Sequence, residues 1–587
     1  MSETDEYDKG TASVDARRKR KAELHARFMA LRGERQSNWD PEYSDIADCI
    51  LPRRGRFFTT EANKGSFGRE RKRLIINSKP TITARTLRAL MTSGMASPAR
   101  RWFLGRVADV SFKEVAAVME WSYQVELLMR DTIKKSNLYQ CLDNNMGDLG
   151  TFGTSVLYVE DDLESEVRGY VFPIGSYVLA NSPRLKPDTV MRELMMTARQ
   201  LVDQFGEDNC STQVMADYKN NRKDAQHEVI HVIEPNTDYI PGKLGTVGMK
   251  FSSCWFESKT VADIEGKFLR EGGYHECPVM PVRWNVTGED VYGSDCPGME
   301  ALPDARALQH TGKREEQAFE KSVNPPMAGP TSLIGQRSSL LPGDMTYVDT
   351  MTGGQQFAPV MKVEPGTLER FAMRTARLEA AVESAYYADL ALMFQRINQG
   401  TMTATEITAR QQEQMLLLGS VAERSEEELL RPMLDRIFMI LWRNGKIPPP
   451  PEQLVNADFK YDFVSVIAQA QKLLGLANLE RFAAMIGNLV AVIPDVIDKL
   501  DSDQLVDEVA DILAVQPGVV RSDDEVAAIR AKRADAQAQQ AQIQQQAAAA
   551  EGAKVLSQAD TSGDNALTRL LGNVTGSPSP GTPKGGS

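Results

Sequence analysis

The sequence has no apolar run that approaches the roughly 18 residues of a membrane-spanning helix. Its richest short run, MIGNLVAVIP at 485–494, is interrupted by Gly487 and Asn488. The six cysteines are scattered and form no CxxC pair, so we expect reduced thiols rather than a disulfide framework. The segment MSETDEYDKG is acidic and lacks an apolar core, so we expect no secretory signal and no membrane partner.

Nucleotide-binding and hydrolase motifs are also missing from the sequence. There is no GxxxxGK[ST] loop for phosphates, no GxSxG elbow for a nucleophilic serine, and no GxGxxG that opens a helix after a strand. The cysteines and histidines form no constellation with metal-ligand spacing. We therefore expect no cofactor, no bound metal and no enzymatic activity.

One catalytic pattern does match by letter, HEVIH at 227–231. Zinc proteases carry HExxH on a helix, where residues i and i+4 can share one metal. Here the β-branched residues around the motif favour a strand, on which positions four apart are separated by about 13 Å. A zinc-dependent hydrolase that uses His227, Glu228 and His231 is kept as an alternative function.

The charge balance is acidic, with 68 Lys and Arg against 80 Asp and Glu and a formal net charge of −12. This argues against a general nucleic-acid binder, which neutralises phosphates with a basic surface. It is compatible with a protein past which DNA slides without sticking. Basic clusters occur at 17–21, 53–56 and 69–73. We interpret them as solvated faces or salt-bridge partners, with contact to a nucleic acid or an acidic partner as the alternative.

Hydrophobic periodicity predicts a helical N-terminal part that is followed by mixed α and β structure. Ser78 is the predicted cap of the second helix, with Pro80 in its first turn. The predicted helices cover 13–50, 74–97 and 111–146. The predicted strands cover 153–162, 169–180 and 228–233, with a further helix near 197–206.

Two predicted helices then flank a segment that is short of helix formers. The first covers 303–322 and stops at Asn324-Pro325, and the second covers 367–394. At ~1.5 Å per residue, the second helix would be about 40 Å long. Between them, 327–366 is rich in Gly, Pro, Ser and Thr. The pattern predicts a two-helix stalk with a small loop-and-strand insertion at its tip.

A polar loop follows the stalk at 395–402, and Thr403 and Glu406 have the capping-box spacing that begins a helix. The helical tract 403–443 carries an apolar stripe, and Pro432 is expected to kink it. The stripe consists of Ile407, Met415, Leu418, Ala422, Leu429, Met433, Ile437 and Leu441.

The C-terminal part has a different composition. PPPP at 448–451 is typical of a stiff linker, and 452–515 is predicted to be a small helical lobe. In 531–550, sixteen of twenty residues are Ala or Gln. Such a helix has almost no apolar face, so it is either disordered or assembled from several copies. The tail from 573 is disordered by composition.

Four stretches of the chain carry recognisable motifs in a fixed order. They are INSKPTITARTLRALMTSGMASPARRWF at 76–103, YGSDCPGMEALPDARALQ at 292–309, FEKSVNPPMAGP at 319–330 and MTATEITARQQEQMLLLGSVAERSEEELLRPMLDRIFMILWRNGKIP at 402–448. Together they resemble the head-to-tail connecting, or portal, proteins of short-tailed, double-stranded-DNA bacteriophages. The resemblance covers about residues 75–450, and the C-terminal part departs from it most.

The resemblance implies a mainly α protein with an α+β wing, in the phage portal fold, assembled as a ring of typically twelve subunits. The chain would divide into the N-terminal part of the wing at 1–295, a first stem helix at 296–326, a clip at 327–363, a second stem helix at 364–394, a tunnel loop at 395–402, a long kinked wing helix at 403–451, a crown at 452–520, a barrel helix at 521–572 and a disordered tail at 573–587.

The resemblance also implies a function at the unique vertex of the capsid. The ring would be the channel for DNA packaging and ejection and the docking platform for terminase and tail. Its partners would be further copies of the chain, the terminase large subunit, a tail adaptor protein, the major capsid and scaffold proteins, and double-stranded DNA without sequence specificity. It would be assembled in the host cytoplasm and reside in the virion at the head–tail junction. Another internal or tail structural protein of the virion is a further alternative.

The implied site residues lie in the tunnel loop and the clip. Polar, glycine-containing residues can move against a duplex without reading it, because phosphate contacts carry no sequence information. Arg396 is the only cation in 395–402, so its contact should be weak and salt-dependent. The DNA-facing residues would be Gln395, Arg396, Asn398, Gln399, Gly400 and Thr401, with Thr403 and Glu406 beginning the next helix. The clip would contact partners through Gln336, Arg337, Asp344 and Asp349.

Overall fold

The computed structural model describes most of the chain. The described ranges are 3–58, 75–107, 116–258, 267–328, 358–360, 364–388, 418–451, 459–463, 482–486, 503–506, 509, 521 and 523–558. The chain divides into two compact units, 1–514 and 515–587, which are described separately. Within the described ranges, no helix is both long and apolar enough to cross a membrane.

Helices build the first part of the larger unit, and the three helical predictions there are confirmed. The long predictions are split, with breaks at Trp39 and at Ser136–Asn137. The helices are α1 (Glu3–Asn38), α2 (Asp40–Cys49), α3 (Lys79–Met95), α4 (Ala116–Lys135) and α5 (Leu138–Phe152), with a 3₁₀ turn at Arg54–Phe58.

The start of α3 differs from the prediction in one detail. Ser78 occupies the cap position and Pro80 lies in the first turn, as predicted, but the Ser78 side chain makes no capping hydrogen bond. Instead, the backbone N–H of Lys79 donates to Oδ1 of Asn77 at 2.8 Å. The Asn77 side chain therefore takes the capping role that the sequence suggested for the hydroxyl.

Two antiparallel sheets form the middle of the larger unit, and the predicted strands are confirmed. The prediction at 169–180 resolves into two strands, because Pro173 to Ser176 form a turn between them. One sheet has the order β3-β2-β9, and the other has the order β4-β5-β6-β7-β8. The strands are β1 (Phe103–Val107), β2 (Thr154–Asp162), β3 (Glu166–Phe172), β4 (Tyr177–Asn181), β5 (Pro187–Thr197), β6 (Gln226–Pro235), β7 (Phe251–Glu257), β8 (Arg270–Tyr274) and β9 (Val279–Arg283).

The five-stranded sheet is covered on both faces. On one face, Leu24 and Phe28 of α1 pack against Met191, Ile230 and Phe256. The other face is covered at one end by two short helices, α6 (Ala198–Phe205) and α7 (Thr212–Lys219). Successive residues of each strand point to opposite faces, so the strands contribute side chains to two separate apolar clusters, one on each side of the sheet.

The predicted stalk is present as two helices, α8 (Pro297–Val323) and α9 (Pro365–Ala385). Beyond α8, β10 (Met327–Ala328) pairs antiparallel with β11 (Ala358–Pro359), which precedes α9. The helix predicted over 367–394 ends earlier, at Ala385, so α9 is about 30 Å long. The ring of Tyr386 is fully buried. The next residue, Tyr387, has a φ of 53°, so a right-handed helix cannot continue through it.

The long helical tract is described from residue 418 onward. It consists of α10 (Gly419–Ser425), a π-helical turn (Glu426–Leu430) and α11 (Arg431–Arg443). Pro432 lies in the first turn of α11, so the irregularity predicted there takes the form of a π turn just before the proline. All six stripe residues within the described part are buried, namely Leu418, Ala422, Leu429, Met433, Ile437 and Leu441.

The region after the proline run was predicted to be a helical lobe, but the structure shows that it is not wholly helical. Residues 482–486 and 503–506 are helical, but Phe459–Phe463 forms a strand, β12. This strand pairs antiparallel with β1, with Phe103 opposite Phe463. Its partner lies more than 350 positions earlier in the chain, so the local pattern could not reveal the pairing.

The smaller unit contains one long helix, α12 (Asp523–Gln558). It confirms the helix predicted from the Gln/Ala composition. Its side chains from Ala527 to Ala548 are all exposed. Within the described part of this unit, the helix has no apolar face to bury.

Candidate functional site

Helices α8 and α9 pack side by side. This helix pair is the candidate surface for contact with another protein. Between them, the hydroxyl of Thr375 donates to Oε2 of Glu315 at 3.3 Å. Three apolar side chains on the pair face solvent: Phe319, Val323 and Met373 are 60%, 70% and 71% exposed. Large apolar side chains at such exposure mark a surface that another protein surface could cover.

Asn77 holds the base of both helices. The side-chain oxygen of Gln309 in α8 accepts from the backbone N–H groups of Asn77 and the residue before it, at 2.9 and 2.8 Å. The Gln309 amide donates back to the Asn77 carbonyl at 2.7 Å. The Asn77 amide donates to Glu379 of α9 at 2.8 Å, and Lys79 pairs with Glu383 at 2.5 Å. The INSKP stretch therefore fixes the position of the helix pair.

Close backbone contact explains the glycines at the end of α5 and around the start of α8. Gly153 ends α5 in the left-handed region, with a φ of 73°. A Cβ atom at Gly293 would overlap the Gly153 carbonyl, and one at Gly298 would overlap the Thr151 carbonyl. The Gly293 N–H donates to the Thr154 hydroxyl at 2.7 Å. Only glycine allows the end of α5 and the start of α8 to approach this closely.

A buried ion pair joins the π turn to the three-stranded sheet. Arg283 Nη2 lies 2.7 Å from Glu428 Oε1, and the backbone N–H of Arg283 donates to Oε2 at 3.1 Å. The two side chains are only 5% and 11% exposed. The same guanidinium also donates to the Leu185 and Asp290 carbonyls. The sequence reasoning missed this pair, because 145 positions separate its members.

A second buried polar group lies in α5. Asp148 is almost fully buried, and its Oδ1 lies 2.9 Å from Nε of Arg54. Burial raises the pKa of Asp148 to about 6, against the opposing charges of Arg54 and Arg88. Nearby in the helix, the Asn145 amide is buried with no hydrogen-bond partner among the described residues. Nothing in the sequence pattern had marked these residues.

The HEVIH motif lies on strand β6, as predicted. The His231 ring stacks on Trp255, with the ring centroids 3.7 Å apart, and its Nε2 lies 2.9 Å from the Ser253 hydroxyl. Burial lowers the pKa of His231 well below its usual value. The ring is therefore neutral and packed inside the protein.

The other two residues of the motif point elsewhere. His227 Nε2 lies 3.3 Å from Asp217 Oδ2 of α7, whereas Glu228 faces the side of α1, where it lies 4.0 Å from Arg32. Across the parts of the chain that the structure describes, no group of three or more His, Cys, Asp or Glu is placed to hold a metal ion. The motif does not assemble a zinc-protease arrangement.

Where the basic clusters are described, their side chains are either exposed or paired within the chain, and contact with a nucleic acid stays an alternative. Arg17 and Arg18 are exposed on α1, whereas Arg20 lies 3.8 Å from Glu271. Lys21 is buried, and its ammonium donates to a backbone carbonyl at 3.2 Å. In the second cluster, Arg54 pairs with Asp148, as described above. The cluster at 69–73 lies outside the described residues.

The residues predicted to face DNA or partners also lie outside the described residues. The structure therefore places neither the tunnel loop nor the clip, and both stay predictions. The residues concerned are Gln395, Arg396, Asn398, Gln399, Gly400, Thr401, Thr403 and Glu406, together with Gln336, Arg337, Asp344 and Asp349.

A comparison with protein families identifies the class of this chain. The sequence model of the family described as "Bacteriophage head to tail connecting protein" matches residues 21–520. Because the match covers most of the chain, the chain belongs to this head-to-tail connecting family. Two stretches that carried the resemblance, 76–103 and 292–309, meet at the base of the helix pair.

Two relatives make the comparison more specific. A protein named "Portal protein" from Salmonella phage epsilon15 is 40% identical over 560 residues, covering 95% of this chain and 99% of that protein. A "Probable portal protein" from Bordetella phage BPP-1 is 36% identical over 557 residues, covering 94% and 98%. These similarities confirm the predicted resemblance to portal proteins. A chain from the virion of a native gene transfer agent particle has a TM-score of only 0.27, at 10% identity over 68% of this chain and 95% of that chain.

Proposed function

We propose that this chain assembles into a closed ring that forms the DNA portal of a phage capsid. Membership of the head-to-tail connecting family is the observation that carries the proposal. The exposed apolar residues of α8 and α9 support it, because a neighbouring copy would remove them from water. A closed ring of about twelve copies supplies every subunit with the same two neighbours.

The parts of the ring follow from the predicted division of the chain. Helices α8 and α9 would be the stem, 327–363 the clip, and 395–402 a polar loop that lines the channel. The tract 403–451 would complete the wing, 452–520 would be the crown, and α12 would associate with its copies as a barrel. The exposed surface of α12 supports the last assignment, because its side chains from Ala527 to Ala548 are all available to a neighbouring copy.

The ring would have a structural rather than a catalytic role at the head–tail junction. It would conduct double-stranded DNA during packaging and ejection, and it would dock the terminase large subunit, a tail adaptor protein and the capsid and scaffold proteins. The energy for packaging would come from a partner. The net charge of −12 supports a lumen that does not hold DNA tightly.

Native mass spectrometry and negative-stain microscopy of the full chain test the ring. We expect an assembly of about twelve copies of 65.1 kDa with a central channel. A Phe319→Ser, Met373→Ser double variant should weaken assembly. A Leu244→Ser variant is the matched control, since Leu244 is 99% exposed on the β6–β7 connection. A double variant that assembles as well as the control would refute the role of the helix pair.

A second experiment tests the loop. Replacing residues 396–401 by a Gly/Ser linker of equal length should leave ring assembly intact and impair DNA packaging or retention. The equal length keeps the chain connected, so a packaging defect would report the lost side chains. Rings that fail to form after this replacement would show that the segment holds subunits together instead of lining the channel.

A third experiment tests the barrel assignment. Removing residues 525–587 should leave rings intact, because the stem and wing are expected to make the main contacts between subunits. Truncated protein that yields only monomers would contradict this expectation and move the main contacts to α12.

A further inference from the structure

A row of polar and aromatic side chains crosses the five-stranded sheet on one face. Arg192 of β5 is directly opposite His231 of β6, which is opposite Trp255 of β7, which is opposite Arg270 of β8. Direct neighbours across strands point to the same side of a sheet. The ring of Tyr158, from the three-stranded sheet, lies over this row, 6.0 Å from the His231 ring. Arg192 therefore lies where the two sheets meet.

Arg192 is partly buried against aromatic rings, and no described acidic side chain forms an ion pair with it. Its guanidinium carbon lies 4.1 Å from the centre of the Phe172 ring. Its Nε is buried and has no hydrogen-bond partner among the described residues. Burial lowers the pKa of Arg192 to about 10, and the groups that oppose this shift are the hydroxyls of Tyr158 and Tyr170 rather than carboxylates.

Other buried arginines in the described part of the chain do have carboxylate partners. Arg283 is paired with Glu428 at 2.7 Å, and Arg436 is paired with Glu276 at 2.9 Å. Burying a charge without a partner costs free energy, and cation–π contact with one ring compensates only in part. Arg192 thus departs from the pattern that the same molecule follows elsewhere.

We propose that Arg192 binds a carboxylate supplied by a second copy of this chain, which forms an ion pair across the boundary between two subunits. The inference rests on the proposed ring. Three observations favour this occupant. A second copy brings a chain with 12 more acidic than basic side chains. The neighbouring Tyr170 is 40% exposed, so the site is open to solvent. The Phe172 ring lies against the guanidinium, and a guanidinium can bind a carboxylate through two parallel hydrogen bonds.

The experiment compares Arg192→Met with Arg184→Met in the full chain. Arg184 is exposed in the hairpin between β4 and β5, so the control removes the same charge from the same sheet. Native mass spectrometry over a concentration series measures assembly, and thermal unfolding of the dissociated chain measures the stability of a single subunit. We expect Arg192→Met to need at least about tenfold more protein for half-assembly. Its dissociated chain should melt no lower than the control, because an uncompensated buried charge is gone.

Other outcomes overturn the inference in distinguishable ways. A dissociated Arg192→Met chain that melts lower, with normal assembly, would place the carboxylate in the same chain. Normal assembly with weaker binding of duplex DNA would assign the site to nucleic acid. Assemblies that need Arg192 but are not rings would refute the proposed ring and leave the ion pair standing. A wild-type chain that stays monomeric at every concentration would overturn both.

Discussion

Helices α11 and α12 have the same secondary structure, but they differ in how their side chains pack within the unit that each belongs to. α11 buries one face completely, including Met433, Ile437 and Leu441. α12 exposes its side chains from Ala527 to Ala548 on every side. Packing within the chain therefore stabilises α11, whereas α12 depends on the intrinsic propensity of Ala and Gln. The difference teaches that α11 finds its apolar core within its own unit, whereas α12 has no buried face among the described side chains of its unit.

The largest expected effect comes from breaking the ion pair that anchors the π turn before α11. Glu428→Gln should destabilise the larger unit by about 3–5 kcal/mol, because it leaves Arg283 buried without a counter-charge. Urea denaturation followed by tryptophan fluorescence measures this. Glu427→Gln is the matched control, because its pair with Lys186 is exposed and should contribute less than about 1 kcal/mol. Equal effects of the two variants would show that the buried pair is not a special anchor.

A core truncation tests the packed face of α11 directly. Ile437→Ala should cost about 2–5 kcal/mol, because the Ile437 side chain is fully buried and its removal leaves a cavity. The same urea titration measures the change. A loss below about 1 kcal/mol would mean that α11 is loosely packed and that the comparison with α12 fails.

The buried carboxyl of Asp148 in α5 makes the stability of the larger unit depend on pH. The pKa of Asp148 is raised from 3.8 to about 6, so the folded chain holds this proton more strongly than the unfolded chain. Stability contributed by the protonated form is present below about pH 4 and is lost as the pH rises through 6. Asp148→Asn removes this loss. Its stability relative to wild type should therefore rise by roughly 2–3 kcal/mol between pH 4 and pH 7. A difference that stays constant with pH would contradict the raised pKa.

The smallest effect is expected in α12. Ile543 is 64% exposed, so Ile543→Ala should change the stability of the dissociated chain by no more than about 0.5 kcal/mol. In assembled protein the same variant should lower the melting temperature more than in the dissociated chain, if copies of α12 pack together. Equal small effects in both states would argue that α12 has no partner in the assembly either.

Local patterns predicted the parts of the fold that depend on nearby residues. The spacing of Leu418, Ala422 and Leu429 marked the buried face of the long tract, and the β-branched residues around HEVIH marked a strand. Both signals arise within a few turns or strand positions. The family motifs at 76–103 and 292–309 were also recognised from the sequence, and they contain Asn77, Gly293 and Gly298, which make the close contacts before and at the start of α8.

Contacts between distant segments could not be predicted in the same way. The pairing of β12 with β1 and the ion pair between Arg283 and Glu428 each join positions far apart in the chain. The sequence shows the partners but not that they meet. The left-handed residue Tyr387 also gave no signal, because tyrosine has no intrinsic preference for a positive φ. The predicted tunnel loop and clip lie outside the described residues and stay predictions.

The π turn at Glu426–Leu430 has a consequence for how this tract tolerates changes in length. A π turn holds one more residue than the α-helical turn it replaces, so the turn is a local insertion accommodated without a loop. Because the extra residue is absorbed within one turn, Met433 and Ile437 keep the core-facing phase that a continuous α-helix one residue shorter would give them. Removing one residue from this turn should therefore shorten the tract and leave α11 facing the core. Inserting one residue within α11, where no turn absorbs it, would rotate the residues after it by about 100°.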